Sequence, residues 1–133
     1  MRAPILLLAL IFCFKGWSQE NAQANPPQIF IKAPIGKSVH FEGGQIKLIE
    51  VLEDSRCPKG VECVWAGQAK VQVMMVIDGA SQTQELILNG VQQHTLFKNK
   101  EYFLKVMALS PYPTTEKIEK AQYHLLLLKE SIE

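Results

Sequence analysis

The sequence predicts an all-β protein, an antiparallel β-sandwich or small barrel of about seven to eight strands. Two observations predict it: short segments that alternate apolar and polar residues, and turn-forming residue pairs at frequent intervals. The only helical candidate, Thr114–Gln122, offers at most one or two turns. A length of 133 residues with 47% hydrophobic residues fits one domain with a real core.

The amino terminus reads as a signal peptide spanning residues 1–18. Arg2 supplies positive charge, and the apolar run from Ile5 to Phe14 is too short to cross a bilayer. Small residues permit cleavage after Ser18 or after Ala24, and the first site lies closer to the apolar run. The sequence therefore predicts a periplasmic, cell-envelope or secreted protein, with no transmembrane segment in the mature chain.

Charge and cysteine count change when this segment is removed. The full chain has 14 Lys and Arg against 13 Asp and Glu, a balance that argues against a nucleic-acid partner. Loss of Arg2 and Lys15 leaves the mature chain slightly acidic. Loss of Cys13, whose lipidation the sequence leaves open because Phe12 and not a small residue precedes it, leaves two cysteines. An even count in an exported chain predicts one disulfide, between Cys57 and Cys63.

Residues 19–36 form a predicted extended lead-in to the β domain. The segment contains three prolines, at positions 26, 27 and 34, which disfavour a central strand. A short edge strand is expected at residues 29–31. The single β domain is predicted to cover residues 37–133.

The first hairpin of this domain is expected to turn at Gly43-Gly44. That turn sets Phe41 opposite Ile46 and Val39 opposite Leu48. The four apolar side chains then share one face, so the register is self-consistent.

The clearest alternation in the chain is Ala69–Ile77, followed by a tight turn at Asp78-Gly79. Leu86–Leu88 leads to a second turn signal at Asn89-Gly90. Further strands are expected at residues 95–97, 102–109 and 123–128. The last two are apolar on both faces, which predicts central positions in a sheet.

The segment between the first hairpin and Ala69, residues 54–67, is named here the cysteine loop. Five residues separate Cys57 from Cys63, and among them Pro58 and Gly60 favour turns. A disulfide that closes so small a ring fixes mainly the local shape of the chain.

Three interpretations of the cysteine loop remain open. In the first it is a structural corner, in which Trp65 packs over the disulfide while Asp54 and Arg56 hydrogen-bond the backbone. In the second the same rigid loop is a recognition surface, since Arg and Trp are favoured interface residues. In the third, two histidines complete a metal site with the cysteines; the candidates are His40, His94 and His124, none at motif spacing.

The sequence suggests a protease inhibitor as the alternative function. In this alternative, Pro58-Lys59-Gly60 is a substrate-like segment within the disulfide ring, with Lys59 as the residue that a trypsin-like protease would recognise. No nucleophile elbow, zinc-protease or phosphate-loop motif is present. The sequence therefore predicts no catalytic residue, no metal site and no cofactor. The chain is expected not to be an enzyme, although an uncharacterised enzyme remains an alternative.

The motif Asp54-Ser55-Arg56-Cys57-Pro58, followed by Gly60-Val61, Cys63 and Trp65-Ala66-Gly67, resembles one that recurs in small exported bacterial proteins of uncharacterised function. The segment Leu109–Pro113 and the strand at Tyr123 resemble their carboxyl-terminal pattern, so the resemblance covers residues 36–130. It implies a bacterial envelope or secreted protein and brings no activity with it. The candidate interaction or loop-structuring residues are Asp54, Arg56, Lys59 and Trp65, and the expected partner is an envelope or extracellular protein or ligand of unknown identity.

Overall fold

The structure, a computed structural model, describes residues 27–132. These residues form two four-stranded antiparallel sheets. The predicted signal peptide and both predicted cleavage positions lie outside the described residues. The strands are β1 (Gln28–Pro34), β2 (Ser38–Phe41), β3 (Gly44–Asp54), β4 (Ala69–Ile77), β5 (Ala80–Leu88), β6 (His94–Lys98), β7 (Tyr102–Ser110) and β8 (His124–Ser131). The first sheet has the order β1-β8-β7-β6 and the second the order β2-β3-β4-β5. The predicted all-β sandwich is confirmed, with eight strands among the described residues.

Strand β1 is an edge strand of the first sheet and pairs with β8 along its whole length. It covers seven residues where the sequence suggested three, at 29–31. Pro34 ends the strand at a sheet edge, where a residue without an N–H group is tolerated. The sandwich therefore begins before Lys37, the position at which the sequence analysis starts the β domain.

The β2–β3 hairpin forms, but the predicted register is wrong by two residues. Phe41 pairs with Gly44 and Val39 with Ile46, because the turn lies at Glu42-Gly43. Gly44 is the first residue of β3, and a side chain there would clash, since a Cβ atom would lie 2.3 Å from the Val76 carbonyl oxygen. A shift of two residues leaves each side chain on its predicted face, whereas a shift of one would not.

Strand β4 has the predicted alternation. Ala69, Val71 and Val73 are fully buried, and the residues between them are half-buried. The predicted tight turn is also confirmed: Asp78 and Gly79 have φ values of 50° and 78°, and the flanking residues of β4 and β5 pair without a bulge. Positive φ at both turn residues suits a two-residue hairpin.

Strands β7 and β8 occupy the two central positions of the first sheet, as predicted from their apolar composition. Leu104, Leu125 and Leu127 are fully buried between the sheets. The pairing of β7 with β8 shifts between Val106 and Ala108, which marks a β-bulge. Beyond this bulge β7 continues to Ser110 without a β6 neighbour, because the β6 pairing begins at Val106.

Tyr102 connects the two sheets. Its ring is 1% exposed within the core, and its hydroxyl donates a hydrogen bond to the backbone carbonyl of Glu42 in the β2–β3 turn. Burial of the ring, followed by the nearby charges of Glu42 and Glu101, raises the pKa of this hydroxyl above its ordinary value. The hydroxyl therefore stays protonated and keeps this donor role at neutral pH.

The only helical candidate, Thr114–Gln122, was expected to offer at most one or two turns. Within this segment the structure has one 3-10 turn, at Lys120–Gln122, closed by a hydrogen bond from the Gln122 N–H to the Glu119 carbonyl. The segment lacks the repeated apolar positions that a packed amphipathic helix needs, since Ile118 and Ala121 are its only apolar residues. It crosses the surface as an irregular connection between β7 and β8.

Candidate functional site

The cysteine loop extends from the paired ends of β3 and β4. The backbone N–H of Ser55 donates to the Gln68 carbonyl at 2.8 Å, and that of Cys57 donates to the Ala66 carbonyl at 2.9 Å. Both pairs keep the register of the last β3–β4 pair, Asp54 with Ala69. The base of the loop is therefore a continuation of the sheet.

Gly67 makes this close approach possible. Its φ of +70° lies in the left-handed region, and a Cβ atom at this position would lie 1.8 Å from the Ser55 carbonyl oxygen. No side chain fits there without displacement of the backbone. The close contact and the positive φ therefore explain why position 67, at the base of the loop, is a glycine.

Arg56 anchors the loop to the first sheet. Its guanidinium donates two hydrogen bonds to the Asp54 carboxylate, from Nε at 2.7 Å and from Nη2 at 2.8 Å. It also donates to the backbone carbonyl of Leu109 at 2.6 Å and to that of Pro111 at 3.0 Å. This planar fork of donors satisfies four acceptor contacts, an arrangement that a lysine ammonium could not reproduce.

Asp54 completes the anchor from the other side. The Tyr123 hydroxyl donates to Asp54 Oδ2 at 2.9 Å, and the side chains of Asp54 and Arg56 are only 10% and 9% exposed. Burial by itself raises the pKa of the Asp54 carboxyl, but the hydrogen bonds from Arg56 and Tyr123 and the Arg56 charge outweigh it and lower the pKa below its usual value. Burial and the hydrogen bond to Asp54 raise the pKa of Tyr123. At neutral pH the Asp54 carboxyl is therefore charged and the Tyr123 hydroxyl is protonated. We call the side chains of Asp54, Arg56 and Tyr123 the anchor cluster.

The anchor cluster joins segments that are far apart in the sequence. Asp54 is the last residue of β3 and Arg56 lies just beyond it, whereas Leu109 lies near the end of β7, Pro111 follows β7 and Tyr123 precedes β8. These are the segments that carried the resemblance to small exported bacterial proteins. In the structure these segments are joined by the hydrogen bonds of the anchor cluster.

The disulfide ring lies beyond this base. Cys57 and Cys63 are bonded, with their Cα atoms 5.9 Å apart, as predicted. Within the ring the chain turns, since the Val61 N–H donates to the Pro58 carbonyl at 3.3 Å. The N–H of Lys59 donates to the Pro113 carbonyl at 3.0 Å. A protease binds its substrate segment as an extended strand, so this turn does not favour the inhibitor alternative for Lys59.

The tip of the loop carries exposed apolar side chains. Val64 is 91% exposed and Trp65 is 82% exposed, and Val61 is also exposed. The expectation that Trp65 packs over the disulfide is therefore wrong. The loop is held by its backbone ladder and the anchor cluster, so its shape does not depend on burial of the indole ring.

A pocket of about 190 Å³ adjoins the loop and the anchor cluster. Tyr112 forms part of its wall, and its ring centroid lies 5.2 Å from the guanidinium carbon of Arg56, within cation–π range. Met107 also lines the pocket and is 42% exposed; the sequence does not indicate this, because the bulge in β7 beside it has no clear sequence signal. The remaining lining residues are Ala66, Gly67, Leu88, Asn89, Gly90, Ala108 and Leu109.

The metal alternative receives no support from the described side chains. Residues 27–132 contain no group of three or more His, Cys, Asp or Glu side chains placed to hold an ion. The rings of His94 and His124 lie within hydrogen-bond distance of the backbone carbonyls of Ile87 and Gln122. Both cysteines are used in the disulfide.

Comparison of the chain with protein-family models, curated proteins and solved structures found no match. Within the described residues, no helix has the length and apolar character needed to cross a membrane. A functional proposal for this chain therefore rests on the geometry of the cysteine loop.

Proposed function

We propose that this chain is an exported, non-enzymatic binding module of the bacterial envelope, and that the cysteine loop is its recognition surface. The observation that carries the proposal is the exposure of Val64 and Trp65 at the tip of a loop whose base is fixed by hydrogen bonds. The partner is an envelope or extracellular protein. Export is supported by the sequence of residues 1–18 and by the disulfide, since disulfides persist in oxidising compartments.

An exposed tryptophan on a rigid loop favours protein recognition on two physical grounds. Burial of the Trp65 ring against a partner removes a large apolar area from water, and Trp is among the residues that dominate binding energies. The anchor cluster and the disulfide hold the loop in shape before binding, so that less conformational entropy is lost on association. The neighbouring pocket offers an apolar wall to a side chain of the partner.

Site-specific photo-crosslinking in the producing cells tests this proposal. A photoreactive residue at Glu62, which is exposed within the disulfide ring, should give a discrete adduct with another envelope protein. The same residue at Lys100, in the turn between β6 and β7, is the positional control and should not give that adduct.

Trp65→Ala should abolish the Glu62 adduct without change in the melting temperature, because the indole is largely in solvent. Phe30→Ala is a matched control, since Phe30 is a 55% exposed aromatic residue on β1, outside the loop. It should leave the adduct intact. An adduct that survives Trp65→Ala, or a marked fall in melting temperature for that variant, would assign the loop a structural role instead.

A further inference from the structure

The four edge strands of the sandwich differ in how well they are protected from pairing with another chain. β2 has only four residues, β6 is short and interrupted by a bulge between Thr95 and Phe97, and β1 carries Lys32 and ends at Pro34. Such features normally block edge-to-edge association. β5 has fewer of them: its nine residues pair with β4 without a bulge and include no proline, and its one charged residue, Glu85, forms an ion pair with Lys70 of β4 at 3.0 Å.

The turn between β4 and β5 decides which backbone groups of β5 point outward. In a two-residue hairpin the flanking residues, here Ile77 and Ala80, form a hydrogen-bonded pair, and hydrogen-bonded pairs recur at every second residue. The N–H and C=O groups of Ser81, Thr83 and Glu85 therefore face away from β4. No hydrogen bond from elsewhere in residues 27–132 reaches these six groups.

The open segment of the edge ends at Ile87. The carbonyl of Ile87 also points outward, but it lies 2.7 Å from Nε2 of the His94 ring, which occupies it. The unpaired edge is therefore limited to Ser81–Glu85, a length that suits a single short strand pairing.

We propose that a second copy of this chain pairs with the open edge, β5 against β5, about a two-fold axis through Thr83. Antiparallel pairing in this register sets Thr83 opposite its own copy and Ser81 opposite Glu85. All six outward backbone groups then find partners, and the two four-stranded sheets become one sheet of eight strands. The contact is isologous, as a two-fold dimer requires.

Side-chain chemistry selects this register over its neighbours. Thr83 meets Thr83, Gln82 meets Gln84, and the Ser81 hydroxyl meets the Glu85 carboxylate; such polar cross-strand pairs are favourable. A two-fold axis through Glu85 would place two like charges opposite each other, which is destabilising. An axis through Ser81 would run Glu85 past the Asp78-Gly79 turn and lose most of the pairs.

The inner face of β5 provides a second observation that fits a partner strand. Leu86 and Leu88 are buried between the sheets, whereas Ala80, Gln82 and Gln84 on the same face are exposed. They border an opening of about 310 Å³ towards β6, which is too short to cover them. A second copy beside β5 would close this opening. The open edge contains no residue of the cysteine loop, so the inference does not depend on the proposed function.

The mass of the purified protein in solution tests the proposal first. Light scattering over a concentration series should show twice the monomer mass. Thr83→Pro removes the outward N–H at the two-fold axis but leaves the β4 ladder intact, so the mass should fall twofold at an unchanged melting temperature. Thr83→Ala keeps that N–H and should remain dimeric. A wild-type protein that stays monomeric throughout the series overturns the proposal.

Cysteine crosslinking tests the register even where Thr83→Pro fails to fold. Thr83→Cys should form a disulfide between copies, since facing Cα atoms in a hydrogen-bonded pair are about 5.5 Å apart. Ser81→Cys alone should not crosslink, because the two copies of residue 81 would be about 14 Å apart. A mixture of Ser81→Cys and Glu85→Cys should. Equal crosslinking of Ser81→Cys and Thr83→Cys, or a crosslink from Thr83→Cys only to another protein, contradicts the inference.

Discussion

Gly67 shows how much of the cysteine loop depends on a single residue. The loop base continues the β3–β4 register with the backbone of Gly67 directly against the Ser55 carbonyl, where a Cβ atom would clash. The loop contains a second glycine with positive φ, Gly60, where an added Cβ atom would have no neighbour within 4 Å. The two glycines therefore separate the effect of close contact from that of backbone conformation.

Gly67→Ala is expected to destabilise the protein more than Gly60→Ala. Both substitutions place a Cβ in the left-handed region, which costs roughly 1–2 kcal/mol. Only Gly67→Ala adds a clash with backbone atoms, which must be relieved by opening the loop base. Urea denaturation of the two variants measures the difference in free energy of unfolding. Equal losses would mean that the Ser55 contact does not constrain the loop.

Single residues of the site differed in how far the sequence could predict them. Asp54 and Arg56 were both expected to hydrogen-bond the backbone; Arg56 does so, whereas Asp54 accepts from the side chains of Arg56 and Tyr123. The identity of the partners of Arg56 was not predictable, because Leu109 and Pro111 lie 53 and 55 residues from Arg56 along the chain. The exposure of Trp65 could not be predicted from the sequence either, since an aromatic residue near a disulfide can either pack against it or lie in solvent.

Three structural elements meet at the anchor cluster, and their union depends on one guanidinium. Arg56 lies just beyond β3, and its guanidinium donates to the Leu109 carbonyl near the end of β7. Its partner Asp54 accepts a hydrogen bond from the Tyr123 hydroxyl, just before β8. Removal of Arg56 would leave a poorly exposed carboxylate and two carbonyls without their donor. Such loss of one partner is more damaging than loss of the whole pair.

Arg56→Ala is therefore expected to lower the free energy of unfolding by about 3 kcal/mol. Lys59→Ala is the matched control, because Lys59 is an exposed cation three residues away, and its loss should stay within about 0.5 kcal/mol. Urea denaturation of both variants provides the measurement. If the two variants lose similar stability, the anchor cluster does not hold the elements together.

At the scale of elements, the sequence predicted the strands better than their pairing. The alternation of β4 and the apolar character of β7 and β8 follow directly from burial. The Gly43-Gly44 pair permits two turns that differ by two residues and keep every side chain on its face. The close approach of the Val76 carbonyl to Gly44, and that of the Phe97 ring to Gly43, are contacts with distant segments that fit the observed turn.

The acid response of the whole molecule should reflect Asp54. Its pKa is lowered in the folded state, so its contribution to stability is fully present above the unfolded pKa of about 3.9 and is lost as pH falls through the lower folded pKa. Stability should therefore fall in this acidic range. The stability difference between the wild type and Asp54→Asn should shrink below about pH 4. Urea denaturation at a series of pH values measures it, and a difference that stays constant would exclude Asp54 as a source of acid sensitivity.

The sandwich as a whole was predictable because its strands are short, regularly spaced and separated by turns. Which strands share a sheet was not, since this depends on contacts between distant segments. The pairing of β1 with β8 joins the two ends of the described chain, and the seven residues of β1 look like a proline-flanked lead-in when considered alone. The segment is a strand because it pairs with the side of β8 that β7 does not occupy.

The pairing of β1 with β8 has a consequence for the order in which the chain folds. Strands β2 to β5 are neighbours both in sequence and in the second sheet, so they pair through contacts that are local in sequence. β1 precedes the other described strands in the sequence but pairs with the last of them, because β8 lies between β1 and β7 in the sheet. The first sheet is therefore complete only when the carboxyl-terminal strand is available. A chain that ended before His124 would leave β1 without its partner strand and would remove Leu125 and Leu127 from the core between the sheets.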